Sequence, residues 1–191
     1  MVQVQSQSNK NKNNRPGTFL SAIVSHLRIL ATPSYGVGLM TPGEFIDFIE
    51  DSGKWIDGNI SWSDDEDHSP AIEFRAPLVS HADYPVFIRG SVNVRAATLT
   101  FAVIHRAFGR IYGLDLGKEH RNPDGQMIGP KHKHAWRDLL SCAKFAYSPD
   151  DISAQLPDVA AVWSQFCDEA KIEHRGRLIL PDSFSQMELF G

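Results

Sequence analysis

Thr98-Leu99-Thr100-Phe101-Ala102-Val103-Ile104-His105 and Arg110-Ile111-Tyr112-Gly113-Leu114-Asp115-Leu116 decide the fold. In the first run Leu99, Phe101, Val103 and His105 fall on alternate positions. That is the period-two pattern of a strand with one buried face. Phe108-Gly109 turns the chain, and the second run returns with Tyr112, Leu114 and Leu116 on one side and Ile111, Gly113 and Asp115 on the other. Two such runs joined by a short turn make an antiparallel hairpin. Regular alternation sets Arg110 and Asp115 on opposite sides, so no pairing between them follows.

Working outward, Trp55 to Trp62, Ala71 to Val79 and Tyr84 to Val94 also read as strands, with Pro70, Pro77 and Pro85 near their ends or at edges. Thr41-Pro42-Gly43-Glu44 is a capping box with proline at the first helical position, and it opens a helix ending near Ser52-Gly53. Apolar residues at helical spacing predict two further helices, over Phe19–Leu30 and Pro157–Ala170. Ile172 and Leu178–Leu180 form a last short strand, and the segment following Trp136 fits helix or strand equally. Helices and strands are segregated along the chain, which specifies an α+β fold: an antiparallel meander from about Trp55 to Trp136 flanked by about three helices. The domain spans residues 17–182, between a flexible polar tail over 1–16 and a short tail over 183–191.

The bulk composition excludes several function classes. With 191 residues and 42% hydrophobic content the chain can build one sizeable core. A formal net charge of -4 gives no overall basic field for nucleic acid. Cys142 and Cys167 make neither a disulfide framework nor a zinc-ribbon spacing. Ser25, His26 and Arg28 interrupt the longest apolar run, and no signal-peptide layout is present, so the expected location is the cytoplasm, away from membranes. The acidic run Asp64–Asp67 lacks the glycine hinge and distal glutamate of a calcium loop and reads as a solvated connection.

Chemistry concentrates beyond the hairpin, between Asp115 and Trp136. Asn122-Pro123-Asp124-Gly125 is a tight turn: proline presets φ, and Asp-Gly supplies a self-bonding side chain and a residue free to adopt positive φ. His120 and Arg121 enter the turn; Lys131, His132, Lys133 and His134 follow it. In an extended chain His132, His134 and Trp136 share a face, and Lys131, Lys133 and Ala135 take the other. A bend that folds back brings His120 to the His132/His134 face. His105, on an apolar strand face, reads as a hydrogen-bonded core residue, whereas His68, His81 and His174 read as solvated.

This stretch resembles an uncharacterised bacterial and phage domain family of unknown function, marked by D-x-G, H-x-N-P-D-G, a spacer, and P-H-x-H before an aromatic. Here these are Asp115 and Gly117, His120 through Gly125, Pro130, His132, His134 and Trp136, with Lys131 inserted after the proline. The resemblance implies the strand–turn–strand setting and carries no activity with it.

Three functional readings follow from the residues. The first is a cofactor-free acid–base site on a phosphodiester, most naturally RNA, as in toxin- or defence-type ribonucleases. Two of His120, His132 and His134 exchange protons, Arg121, Lys131 and Lys133 meet the phosphate, and Trp136 stacks a base. The second is a metal centre of the same three histidines with Asp115 or Asp124. The third is a non-enzymatic module whose basic turn contacts nucleic acid or an acidic protein. In each of them Asn122, Pro123, Asp124 and Gly125 build the turn.

Overall fold

The computed structural model describes residues 40–137 and 143–181, all within the second of two units of the chain, Leu39–Gly191. The expected helix over Phe19–Leu30, both tails and Cys142 lie outside the described residues. In chain order the elements are helix α1 (Pro42–Glu50) and strands β1 (Lys54–Asp57), β2 (Ile60–Ser61), β3 (Ser63–Asp64), β4 (Ile72–Pro77), β5 (Val79–Ser80) and β6 (Val86–Asn93). Then come β7 (Thr98–His105), β8 (Gly109–Leu116), β9 (His120–Arg121), β10 (Met127–Ile128), β11 (Lys131–Ala135) and β12 (Ala146–Tyr147). Helix α2 (Val159–Glu169), β13 (Ile172–Arg175) and β14 (Leu178–Ile179) complete the described chain. Among the described residues there are thus two α-helices and an antiparallel seven-stranded sheet, ordered β12-β11-β8-β7-β6-β4-β3. None of the helices is long and apolar enough to cross a membrane.

The meander β6-β7-β8 is the centre of that sheet. Its register aligns Phe74, Gly90, Phe101 and Leu114 across four strands. Directly opposed residues share a face. On that face Phe101 meets Trp163 of α2 with ring centroids 4.9 Å apart, and Phe166 stacks on Tyr112 at 5.9 Å. Burying Val162, Trp163, Phe166 and Cys167 along one side of α2 therefore builds one core between helix and sheet. At Thr41 the capping box forms: its side chain accepts from the Glu44 amide at 3.2 Å, and Glu44 accepts from the Thr41 amide at 2.7 Å. At the other end of α1 the buried Lys54 ammonium donates to the carbonyls of Phe48, Ile49 and Asp51, satisfying groups a helix C-terminus leaves open.

Three expectations change. The run from Trp55 to Trp62 is not one strand of the meander, because the chain breaks at Gly58, which takes a positive φ of 77°. Instead β1 pairs in parallel with β13, and β2 in parallel with β14, bringing together segments remote in sequence. The solvated connection at Asp64–Asp67 contains a buried residue, Asp65, which accepts from the amides of Asp67 and His68 and from Arg89. His174 is held as well: Nδ1 accepts the Trp163 indole N–H at 3.1 Å, so Nε2 donates to the Gly58 carbonyl at 3.0 Å. His105, as expected of a core residue, is buried; it accepts from the Ala107 amide and stacks on Phe108 at 4.3 Å.

Candidate functional site

The register of three strands assembles the site. Strand β11 places His132 opposite Asp115 and His134 opposite Gly113 of β8, and β7 places Thr100 opposite Asp115. Opposed side chains project to the same side, so Thr100, Asp115, His132 and His134 share the face turned away from α2. Lys131 and Lys133, one position out of phase, go to the core side.

His120 arrives from outside the sheet. Asn122 to Gly125 turn the chain, with the Gly125 amide on the Asn122 carbonyl at 2.8 Å, the Gln126 amide on the Asp124 carboxylate at 3.0 Å, and Gly125 at φ +90°. The bend pairs Ile128 with His120 and Met127 with Arg121. It delivers the His120 ring to 5.4 Å from His132 and 4.6 Å from His134, themselves 5.1 Å apart, centroid to centroid.

A short segment, Ala143–Ala146, closes the arrangement from the far side. The His134 Nδ1 lies 2.8 Å from the Ala143 carbonyl and the His120 Nε2 2.8 Å from the Lys144 carbonyl. Asn122, itself buried, grips Ala146 with both ends of its amide, accepting from the Ala146 N–H at 2.7 Å and donating to the Ala146 carbonyl at 3.0 Å. His132 has its own carbonyl, Gly129, 2.9 Å from Nδ1. Because a carbonyl only accepts, each of these ring nitrogens carries the proton. The tautomer each ring takes when neutral is thereby set, and the remaining nitrogens, Nδ1 of His120 and Nε2 of His132 and His134, are then the ones with lone pairs.

Each of the three histidines offers a ligand atom, and these atoms lie within 4.8 Å of one another. The Asp115 Oδ2 joins them, 3.2 Å from the His134 Nε2 and 3.6 Å from the His132 Nε2. The His134 Nε2 is fully buried and has no hydrogen-bond partner of acceptable geometry, despite its short separation from Asp115. A lone pair facing a carboxylate has nothing to bond to. One ligand atom from each of three imidazoles and a carboxylate oxygen are thus gathered at one place on the sheet.

Asp115 is held in place by two further groups. Thr100 donates its hydroxyl to Oδ1 at 2.6 Å, and Arg110 donates from Nη1 to Oδ2 at 2.9 Å. That Arg110 pairing departs from strict alternation. The β7–β8 register shifts between Val103 and Ile104, a bulge that puts Arg110 and Asp115 on one side. Gly113 lies beneath the arginine: a Cβ there would meet Arg110 Cδ at 3.2 Å and the Phe101 carbonyl at 3.0 Å. Burial pushes the Asp115 carboxyl up, but His132 and His134, which donate to it when their Nε2 atoms carry protons, together with Arg110 and Thr100 outweigh it and hold the group well below the usual carboxylate range. Burial pushes the His134 imidazole down, with Asp115 partly offsetting it.

Several residues singled out from the sequence lie elsewhere. Lys133, 0% exposed, is on the core side, 2.6 Å from Asp151 and 2.8 Å from Glu169, and Tyr112 donates its hydroxyl to the same Glu169. Lys131 donates to the Ile152 carbonyl at 2.6 Å. Both are thereby turned away from the imidazoles, because β11 is a regular strand. Trp136 follows the end of β11 and is buried against Phe108 at 5.8 Å, so it has no free face for a base. Arg121 is exposed on the hairpin, and Asp124 is spent on the turn. Thr100 and the Ala143–Ala146 backbone escaped the sequence reading: the former needs the strand register, and backbone carbonyls leave no residue signature.

No curated protein and no solved structure matches the chain. Residues 60–172, from β2 through the start of β13 and including every residue of the cluster, match the model of a family of unknown function. The chain belongs to that family, DUF6978.

Proposed function

We propose that His120, His132, His134 and Asp115 hold one divalent first-row metal ion, and that the protein is an enzyme that works at this ion. The observation that carries the reading is the commitment of one N–H of every imidazole to a backbone carbonyl. Metal-ligating histidines characteristically spend the second nitrogen in this way, which fixes the tautomer and aims the free lone pair. Spacing agrees. Ligands on bonds of about 2.0–2.1 Å around an ion that keeps a position open for substrate are separated by about 3–3.6 Å; the Asp115–His134 and Asp115–His132 separations of 3.2 and 3.6 Å fall in that range, and the imidazole atoms, within 4.8 Å of one another, would draw in around the ion. An imidazole-rich donor set suits zinc, nickel, cobalt or iron better than magnesium or calcium.

A bound cation supplies Lewis acidity at neutral pH. The chain's own residues set how it is used. His132 and His134, 3% and 1% exposed, form the closed wall, while Asp115 and Arg110 border the open one.

A metal-free acid–base pair has less support. It could use the same free ring nitrogens, but the cations it calls for at the phosphate, Lys131 and Lys133, lie across the sheet. A basic interface for RNA or an acidic partner loses the same two lysines.

The test is elemental analysis after reconstitution with zinc, cobalt, nickel, manganese and ferrous iron in turn. Wild-type protein should retain about one equivalent of at least one of these after desalting, and His134→Ala should retain none. Equal retention by both proteins, or none by either, refutes the metal centre.

A further inference from the structure

We propose that Arg110 is the anchor for an oxyanion on the substrate, a carboxylate or a phosphoryl group bound between its guanidinium and the metal ion. The inference rests on the metal centre described above. Arg110 donates from Nη1 to Asp115, and among the described residues no other acceptor meets the guanidinium. Its neighbour in kind, Arg89, is different: Nε and Nη2 are spent on Glu73 and Asp65, two carboxylates for one cation. Arg110 is a third exposed and keeps the rest of its fork of donors available.

Distance makes the pairing productive. With Nη1 2.9 Å from Asp115 Oδ2, and a ligating oxygen about 2.0–2.2 Å from its metal, the arginine nitrogen lies within about 5 Å of the ion. One oxygen of a carboxylate or phosphoryl group can approach the ion while a second accepts from Arg110. Charge makes it favourable. A divalent ion, one carboxylate, one guanidinium and three neutral imidazoles sum to two positive charges on the open side of the site. Such a surplus beside a partly exposed arginine selects an anion, and a planar fork suits two-oxygen groups.

Placement of Arg110 is also a built feature. The bulge in β8 brings its side chain onto the Asp115 face, and Gly113 leaves the space its aliphatic stem crosses. A regular strand would direct it into the core side.

The experiment uses the whole chain loaded with cobalt(II), whose visible absorption reports changes in its surroundings, titrated with inorganic phosphate and, separately, with acetate at constant ionic strength. Cobalt uptake is measured first. Either anion should shift the spectrum saturably in the wild type. Arg110→Gln should weaken that binding about tenfold or more, read on protein saturated with cobalt so that any change in cobalt affinity does not enter the comparison. Arg110→Lys, which keeps the charge and loses the fork, should fall between the two; it also serves the comparison if Arg110→Gln does not fold. The stronger of the two anions identifies the group. Unchanged anion affinity in both variants, or no response of the wild-type spectrum to either anion, overturns the assignment of Arg110 and leaves the metal centre standing. Failure of the wild type to take up cobalt, or any other ion tested, overturns the metal centre and this inference with it.

Discussion

Asn122→Ala isolates the device that holds the two arms of the site together. The Asn122 amide accepts from the Ala146 N–H at 2.7 Å and donates to the Ala146 carbonyl at 3.0 Å, with both residues buried. Truncation deletes both bonds and leaves a buried backbone donor and acceptor without partners. Each orphaned group costs about 1–3 kcal/mol. Because β12 is the edge of the sheet, water can partly replace the lost partners, so the lower half of the sum applies: about 2–4 kcal/mol. For a body of this size that lowers the melting temperature by roughly 4–15 °C. The turn should survive, since its hydrogen bonds run through the Asn122 backbone and the Asp124 side chain. The functional consequence follows from position. Ala143 and Lys144 precede Ala146, and their carbonyls set the protons of His134 and His120. Loosening this segment should weaken metal binding about tenfold or more, as loss of outer-shell partners does elsewhere. Urea denaturation followed by circular dichroism measures the first effect, and a competitive chelator titration the second. A stability change below about 0.5 kcal/mol, or a metal affinity equal to wild type, refutes the reasoning.

Other changes test separate parts of the structure. Lys133→Ala should cost about 2–4 kcal/mol, because it strands Glu169 and Asp151; the cost is below that of breaking a sealed pair, since Asp151 is 47% exposed and can hydrate. Lys133→Met, which refills the space, should recover about half of that loss in the same denaturation assay, and no recovery would show that charge alone matters there. Asp115 has a folded pKa below its unfolded value, so the unfolded chain binds its proton first as pH falls. Its contribution to stability is complete above pH about 4 and is lost as pH falls through the depressed folded value. Metal-free wild type should therefore lose stability more steeply than Asp115→Asn between pH about 4 and 2, and parallel curves would contradict that ordering.

Much of this architecture is legible in the amino-acid order because it is local. The Thr41 box, the alternation in Thr98–His105 and the Pro123-Asp124-Gly125 bend all act over a few residues, and each appears at its place. The alternation of Lys131 to Ala135 likewise separates the histidines from the lysines. What escaped is non-local. Parallel pairing of β1 with β13 and of β2 with β14 depends on where α2 returns the chain. The Arg110–Asp115 pair depends on a bulge, which inverts strand parity at one step. The proton positions on the imidazoles depend on backbone carbonyls of Gly129, Ala143 and Lys144, groups every residue possesses. Thus the three histidines could be singled out, while the direction in which their lone pairs point could not.

The most direct measurement is anomalous scattering from a crystal grown with the retained ion, with data recorded on both sides of its absorption edge. The account predicts one anomalous peak about 2.0–2.3 Å from Nδ1 of His120, Nε2 of His132 and Nε2 of His134, with Oδ2 of Asp115 completing the set. A peak bound through the opposite ring nitrogens, or seated away from these residues, would contradict it.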